Sequence, residues 1–139
     1  MAISNSGPEF ARRMLLNASK LGREVERVVR GAALTIDQTA VLATPVDTGR
    51  ARGNWIGSIG SPATSADQPT DPSGQAAMAQ AAAAISRFKI GAIIYIANNV
   101  EYIVPLDEGH SRQAPEGMVD QAMAEGRRYV KKERIRLRG

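Results

Sequence analysis

With 139 residues, of which 43% are hydrophobic and only 4% aromatic, the chain supports one domain whose core is built from Ala, Val, Ile, Leu and Met. It has no cysteine, which excludes disulfides and thiolate metal sites. The net charge of +4 is mild but uneven: Arg127, Arg128, Lys131, Lys132, Arg134, Arg136 and Arg138 stand against Glu133 alone between positions 127 and 138. No stretch reaches the roughly 18 apolar residues of a membrane span. The opening Met-Ala-Ile-Ser-Asn-Ser-Gly-Pro lacks the basic and apolar regions of a signal peptide, and synthesis in the cytoplasm is the expectation.

The first element predicted is a long helix. Ser6 and Glu9 are placed as a capping box and Pro8 is tolerated in the first turn. Apolar residues then recur at 10, 14, 18, 21, 25, 28, 32, 36, 40 and 43, widened by Leu15, Val29 and Ala33. Gaps of three and four keep one face apolar. Charged residues from Arg12 to Arg30 fill the opposite side. Unbroken from Pro8 to Ala43, such a helix is about 54 Å long at ~1.5 Å per residue, more than a domain of this size covers. Either Gly22 or Gly31 bends it, or part of it packs on a neighbouring subunit.

Pro45 disfavours the α conformation at Thr44, so the helix should end near Ala43. Asp47-Thr48-Gly49 is a turn signal, with glycine free to take positive φ. An extended segment is then expected, with Arg50 and Arg52 on one side and Trp55 and Ile59 on one face. Residues 61–74 carry three prolines and no large apolar side chain, which reads as a flexible loop. Gln75–Phe88, capped by Ser73, is the second helix, with Met78, Ala81, Ile85 and Phe88 on one stripe. Ile90–Ala97 is apolar on both faces, the pattern of a strand buried on both sides. Asn98-Asn99 marks a turn. Tyr102, Ile103 and Leu106 suit one helical turn closed by Gly109. Pro115 opens the last helix, with a stripe of Val119, Ala122, Met123, Gly126, Val130 and Leu137. The sum is an α+β domain: long N-terminal and C-terminal helices packed on a small antiparallel β-sheet, with residues 1–139 as one unit.

Nothing in this pattern assembles a catalytic or cofactor site. His110 is the single histidine, without a thiol or second imidazole to complete a transition-metal site. No serine sits in a nucleophile elbow. Asp107 and Glu108 are adjacent, so they diverge on a helix or a strand and make a poor acid–base dyad. The glycines at 49, 53, 57 and 60 match neither a P-loop nor a dinucleotide fingerprint. The expectation is a protein that is not an enzyme and holds no cofactor or metal.

Contact residues are the alternative. Trp55 is a core anchor, the more common case, or an interface anchor, an option that Arg50 and Arg52 beside it raise slightly, since Trp and Arg dominate interface hot spots. Asp47, Asp107, Glu108 and His110 complete the set, with Asp107 or Glu108 meeting Arg50 or Arg52 across a subunit boundary. The basic end is either a solvated helix terminus complementing the macrodipole or a contact for DNA or an acidic protein surface. No helix-turn-helix or aromatic platform accompanies it, so any DNA contact is sequence-independent.

Two blocks carry a resemblance. The first is Pro45-Val46-Asp47-Thr48-Gly49-Arg50 followed by the aromatic-containing segment ending Ser58-Ile59. The second runs from Asn98-Asn99-Val100-Glu101-Tyr102 through Leu106-Asp107-Glu108-Gly109-His110-Ser111 to Gln113-Ala114-Pro115-Glu116-Gly117-Met118-Val119. Together they resemble the tail-completion or neck proteins of tailed bacteriophages. Residues 61–89 depart from that pattern, inserting a proline-rich loop and an alanine-rich helix where many relatives run hairpin strands. Arg50-Ala51-Arg52 also replaces a commoner Arg-x-aliphatic.

The resemblance implies a virion protein at the head–tail junction. It would complete or cap the tail and help join it to the head as a homo-oligomeric ring around the DNA channel. It implies six copies first and twelve second, with connector and tail-tube or tail-terminator proteins as partners and no membrane. The alternative kept open is a sequence-independent DNA-binding module using the basic C-terminal helix.

Overall fold

The computed structural model describes residues 7–109 and 117–133. The expected cap at Ser6, the helix start at Pro115, His110, Leu137, and Arg134, Arg136 and Arg138 lie outside the described residues. The elements are α1 (Gly7–Ala43), α2 (Arg50–Gly53), β1 (Trp55–Ile59), α3 (Gln75–Ile85), β2 (Ile94–Asn98), α4 (Ile103–Glu108) and α5 (Met118–Glu133). This is the α+β arrangement of two outer helices and a small antiparallel sheet that the patterning predicts.

The helix α1 runs unbroken through both of its interior glycines. Gly31 is a docking notch rather than a bend: the phenol of Tyr129 on α5 occupies the space a Cβ would need. Ile36 fills the matching space above Gly126. These two notches let α1 and α5 lie close along their shared length, antiparallel, from Ile36 against Gly126 to Arg27 against Glu133. Ala40 and Val41 of α1 meet Met118 and Ala122 of α5, Ala77 of α3 and Trp55 in the main core. Ala33, Ala81 and Ile85 form a second cluster beside it.

At the end of α1 the chain departs from the predicted strand. Gly49 takes φ 92°, as the turn signal requires, and its carbonyl accepts from Gly53 N at 2.9 Å. Asn54 Nδ2 donates to Arg50 O at 2.8 Å. Arg50–Gly53 is therefore a helical turn and the strand starts only at Trp55. Residues two apart on a helix diverge by about 200°, so Arg50 and Arg52 do not share a side as they would in an extended segment.

Strands β1 and β2 pair antiparallel, with Trp55 opposite Asn98 and Ile59 opposite Ile94. The second strand is shorter than Ile90–Ala97 and its residues are only half-buried. A turn at Lys89–Ala92, with Gly91 at φ 97°, consumes the first part of the apolar run and leaves Ile90 and Ile93 exposed. On the far side of β1, the side-chain amide of Gln80 bonds both backbone groups of Gly57, at 2.7 and 3.0 Å. That substitutes for a third strand at an otherwise open edge.

Helix α3 ends at Ile85 rather than Phe88, because Arg87 and Phe88 tighten into bonds to the third residue back. Gly74, at φ 77°, occupies the cap position expected for Ser73. Ser73 Oγ still accepts from Gln75 N, and Asp71 Oδ2 reaches further, accepting from Ala77 N at 3.0 Å. The loop at 61–74, which lacks large apolar side chains, is held by hydrogen bonds. Asn54 bonds Gln68 through both amide atoms, Asn99 Nδ2 donates to Ala63 O, and Asp71 N donates to Gly49 O. Small polar residues are anchored here by side-chain amides rather than by apolar packing.

Candidate subunit interface

The turn at the end of α1 gathers Asp47, Arg50, Arg52 and Trp55 of the predicted contact set, and engages Arg52 and Trp55 within the protomer. Trp55 is buried and its indole N–H donates to Thr44 Oγ1 at 2.8 Å. An interface anchor has to be reachable, so of the two readings of Trp55 the core anchor is the correct one. Arg52 is likewise engaged within the chain. Its guanidinium donates to the carbonyls of Leu42 (3.0 Å), Thr44 (2.9 Å) and Pro72 (2.8 Å). It thereby satisfies carbonyls left open where α1 ends and supplies the cation that the last turn of α1 lacks.

Arg50 points the other way and finds a carboxylate that sequence reasoning missed. Its two terminal nitrogens donate to the two oxygens of Glu101, at 2.7 and 2.9 Å, a bidentate fork. The same guanidinium lies 5.6 Å from the ring centroid of Tyr102. The hydrogen bonds from Arg50 pull the Glu101 carboxyl down to about 2, and those to Glu101 raise the Arg50 value. Within the protomer the acid that meets Arg50 is Glu101, whereas the contact expected of Asp107 or Glu108 is one across a subunit boundary. The pairing of β1 with β2, which no local signal in the sequence sets, brings Arg50 and Glu101 together. With Trp55 opposite Asn98, residues just before one strand lie beside those just after the other.

Asp107 instead accepts from Val119 N at 3.1 Å and caps the start of α5. Asp47 and Glu108 are exposed. Asp47, Arg50 and Tyr102 border a shallow hollow of about 440 Å³ with Pro45, Val46 and Leu106. On α5, Arg127, Arg128, Lys131 and Lys132 are all exposed, with Arg128 paired to Glu125. Glu133, the one acid in that run, turns to Arg27 on α1 at 3.1 Å.

The least covered surface lies elsewhere. Residues 10–19 of α1 are exposed on every side, and this arm carries Phe10, Met14, Leu15 and Leu16 at 56–70% exposure. Further along the same helix, an apolar groove of about 720 Å³ opens between α1, the approach to β2, and α5. It is lined by Val25, Val28 and Ile36, by Ile93, and by Met123 and Val130.

One buried group has no evident structural use. Asp37 on α1 is fully buried, and neither carboxyl oxygen has a hydrogen-bond partner among the described residues. Burial pushes its carboxyl up to about 7. Among the described residues no group of three His, Cys, Asp or Glu side chains could hold a metal ion, and no helix is long and apolar enough to cross a membrane. Comparison with protein-family models, with curated proteins and with solved structures finds no match.

Proposed function

We propose that the protein is a structural component of a tailed-bacteriophage virion, acting at the head–tail junction as a homo-oligomeric ring around the DNA channel. In that place it would complete or cap the tail and join it to the connector on one side and the tail-tube or tail-terminator protein on the other. The observation that carries the reading is the arm of α1, whose Phe10, Met14, Leu15 and Leu16 are 56–70% exposed. A helix of about 15 residues is marginal in water by itself, and its stability comes from packing an apolar face. The two-block resemblance, spanning 45–59 and 98–119, supplies the class of assembly. Six copies are the first expectation and twelve the second.

The protein's mass measured over a dilution series should rise to a defined closed multiple. In a phage carrying this gene, its loss should yield filled heads and separate tails that do not join. A single-chain mass at every concentration, together with its absence from purified particles, would end the proposal.

A second reading rests on the exposed cations of α5, with Glu133 turned away from them. A module of this kind binds DNA without sequence preference, and its affinity falls steeply with salt. Salt-insensitive binding, or none at low salt, removes that reading.

A further inference from the structure

We infer that the occupant of the apolar groove between α1 and α5 is the α1 arm of another copy of this chain. The inference rests on the ring proposed above and names the joint that would close it.

The two surfaces match in length. From Phe10 to Leu21 the arm's stripe covers about 17 Å at ~1.5 Å per residue, and so does the α1 wall of the groove from Val25 to Ile36. They match in chemistry as well. The arm presents Phe10, Met14 and Leu21, and the groove presents Val28, Ile93, Met123 and Val130, with Ile93 60% exposed in its own protomer. The arm cannot reach its own groove, because both belong to one continuous helix. A second copy is therefore the nearest source of a helix with this stripe.

The area follows from the same length. The Phe10–Leu21 stripe is about 17 Å long on a helix 10–12 Å across, so seating half its girth hides roughly 300 Å² on the arm. The groove hides a similar area, and every copy in a closed assembly gives one arm and takes one. Each arm-in-groove joint then hides roughly 600 Å² in all, and a reciprocal pair, which sets two joints in one contact, reaches roughly 1,200 Å², the lower end of a standard specific interface. Arm and groove are different surfaces, so the contact is heterologous. It closes either as a reciprocal pair or as a larger ring, according to the angle between neighbours.

The natural absence of cysteine allows a direct test. Full-length chains carrying Met14→Cys and full-length chains carrying Met123→Cys are mixed and oxidised, and products are resolved by mass. The expected product is a disulfide joining one chain of each kind. Phe10→Glu with Leu21→Glu, at positions exposed in their own protomer and outside the cysteine site, should abolish both the cross-link and the assembled mass while leaving the circular dichroism of the fold unchanged.

Assembly by mass without the mixed disulfide overturns the arm-in-groove joint and leaves the ring reading standing. A mixed disulfide with a mass that stops at two copies supports the joint and sinks the ring. A single-chain mass throughout ends both. An assembled mass that survives the paired glutamates also overturns the joint.

Discussion

The indole N–H of Trp55 donates to the hydroxyl of Thr44 across 2.8 Å, at a point where both residues are buried. That hydroxyl also donates to Ala40 O at 2.6 Å and lies 3.2 Å from Met118 Sδ. One side chain thus ties the last turn of α1 to the first residue of β1 and the first residue of α5. It is the tertiary counterpart of Thr44-Pro45, where the sequence ends the first helix.

Replacing Thr44 with Val keeps the shape and removes the acceptor. The buried indole N–H is left unsatisfied, at a cost of about 1–3 kcal/mol. Urea unfolding followed by the fluorescence of the single tryptophan measures this directly. An unchanged midpoint would show that the indole finds another acceptor.

Asp37 gives the protein a pH dependence with a definite sign. Its carboxyl titrates near 7 when folded against an ordinary value of 3.8, because burial penalises the charged form. The unfolded chain ionises first, so stability is fullest below about pH 4 and declines as pH rises towards 7. At ~1.4 kcal/mol per unit, the loss is at most on the order of 4 kcal/mol. Asp37→Asn should raise the thermal midpoint at pH 8 and change it little at pH 4. Equal effects at both pH values would mean that a cation or water compensates the ionised carboxylate.

The Arg50–Glu101 fork predicts the opposite slope over a lower range. The folded value of Glu101 is lowered, so its contribution is present above the ordinary glutamate value and is lost as pH falls towards 2. Glu101 is largely exposed, and such pairs add little to stability. The signature to follow is therefore the Glu101 carboxyl resonance in an NMR titration. Arg50→Ala should return it to the ordinary carboxylate range with little change in the unfolding midpoint. A titration unmoved by that substitution would mean that the fork does not persist in solution.

Much of the architecture is legible without coordinates, for local reasons. The apolar stripe from Phe10 to Ala43 marks α1, Pro45 ends it, and Gly49 adopts the positive φ that a turn after Asp47-Thr48 calls for. The alanine-rich segment with its stripe at Met78, Ala81 and Ile85 reads as a helix, and α3 packs Ala81 against Gly57. The excess length of α1 is also visible from periodicity alone, and the arm at residues 10–19 is where that excess appears.

The candidate contact residues were less legible. Arg50, Arg52 and Trp55 are neighbours in sequence, and alternation on a strand groups the two arginines on one side. A single helical turn, closed by Gly49 O and the Asn54 side chain, separates them instead. The turn sends Arg50 to Glu101 and Arg52 to the end of α1, and Trp55 enters the core.

Except at residues 50–53 and 90–92, read as strand and found as turns, the sequence alone decided which segments are helix or strand, where the first helix stops, and that this helix is too long for its own domain. Each of these depends on side-chain period and backbone sterics within a few residues. Only the tertiary structure decided which carboxylate Arg50 meets, that Gly31 and Gly126 are notches between helices, that Asp37 is entombed, and that a groove matching the arm lies further along the same helix. Those facts depend on the register of a hairpin and the closeness of two helices. Residues more than a hundred positions apart, such as Arg27 and Glu133, become neighbours only when the chain closes on itself.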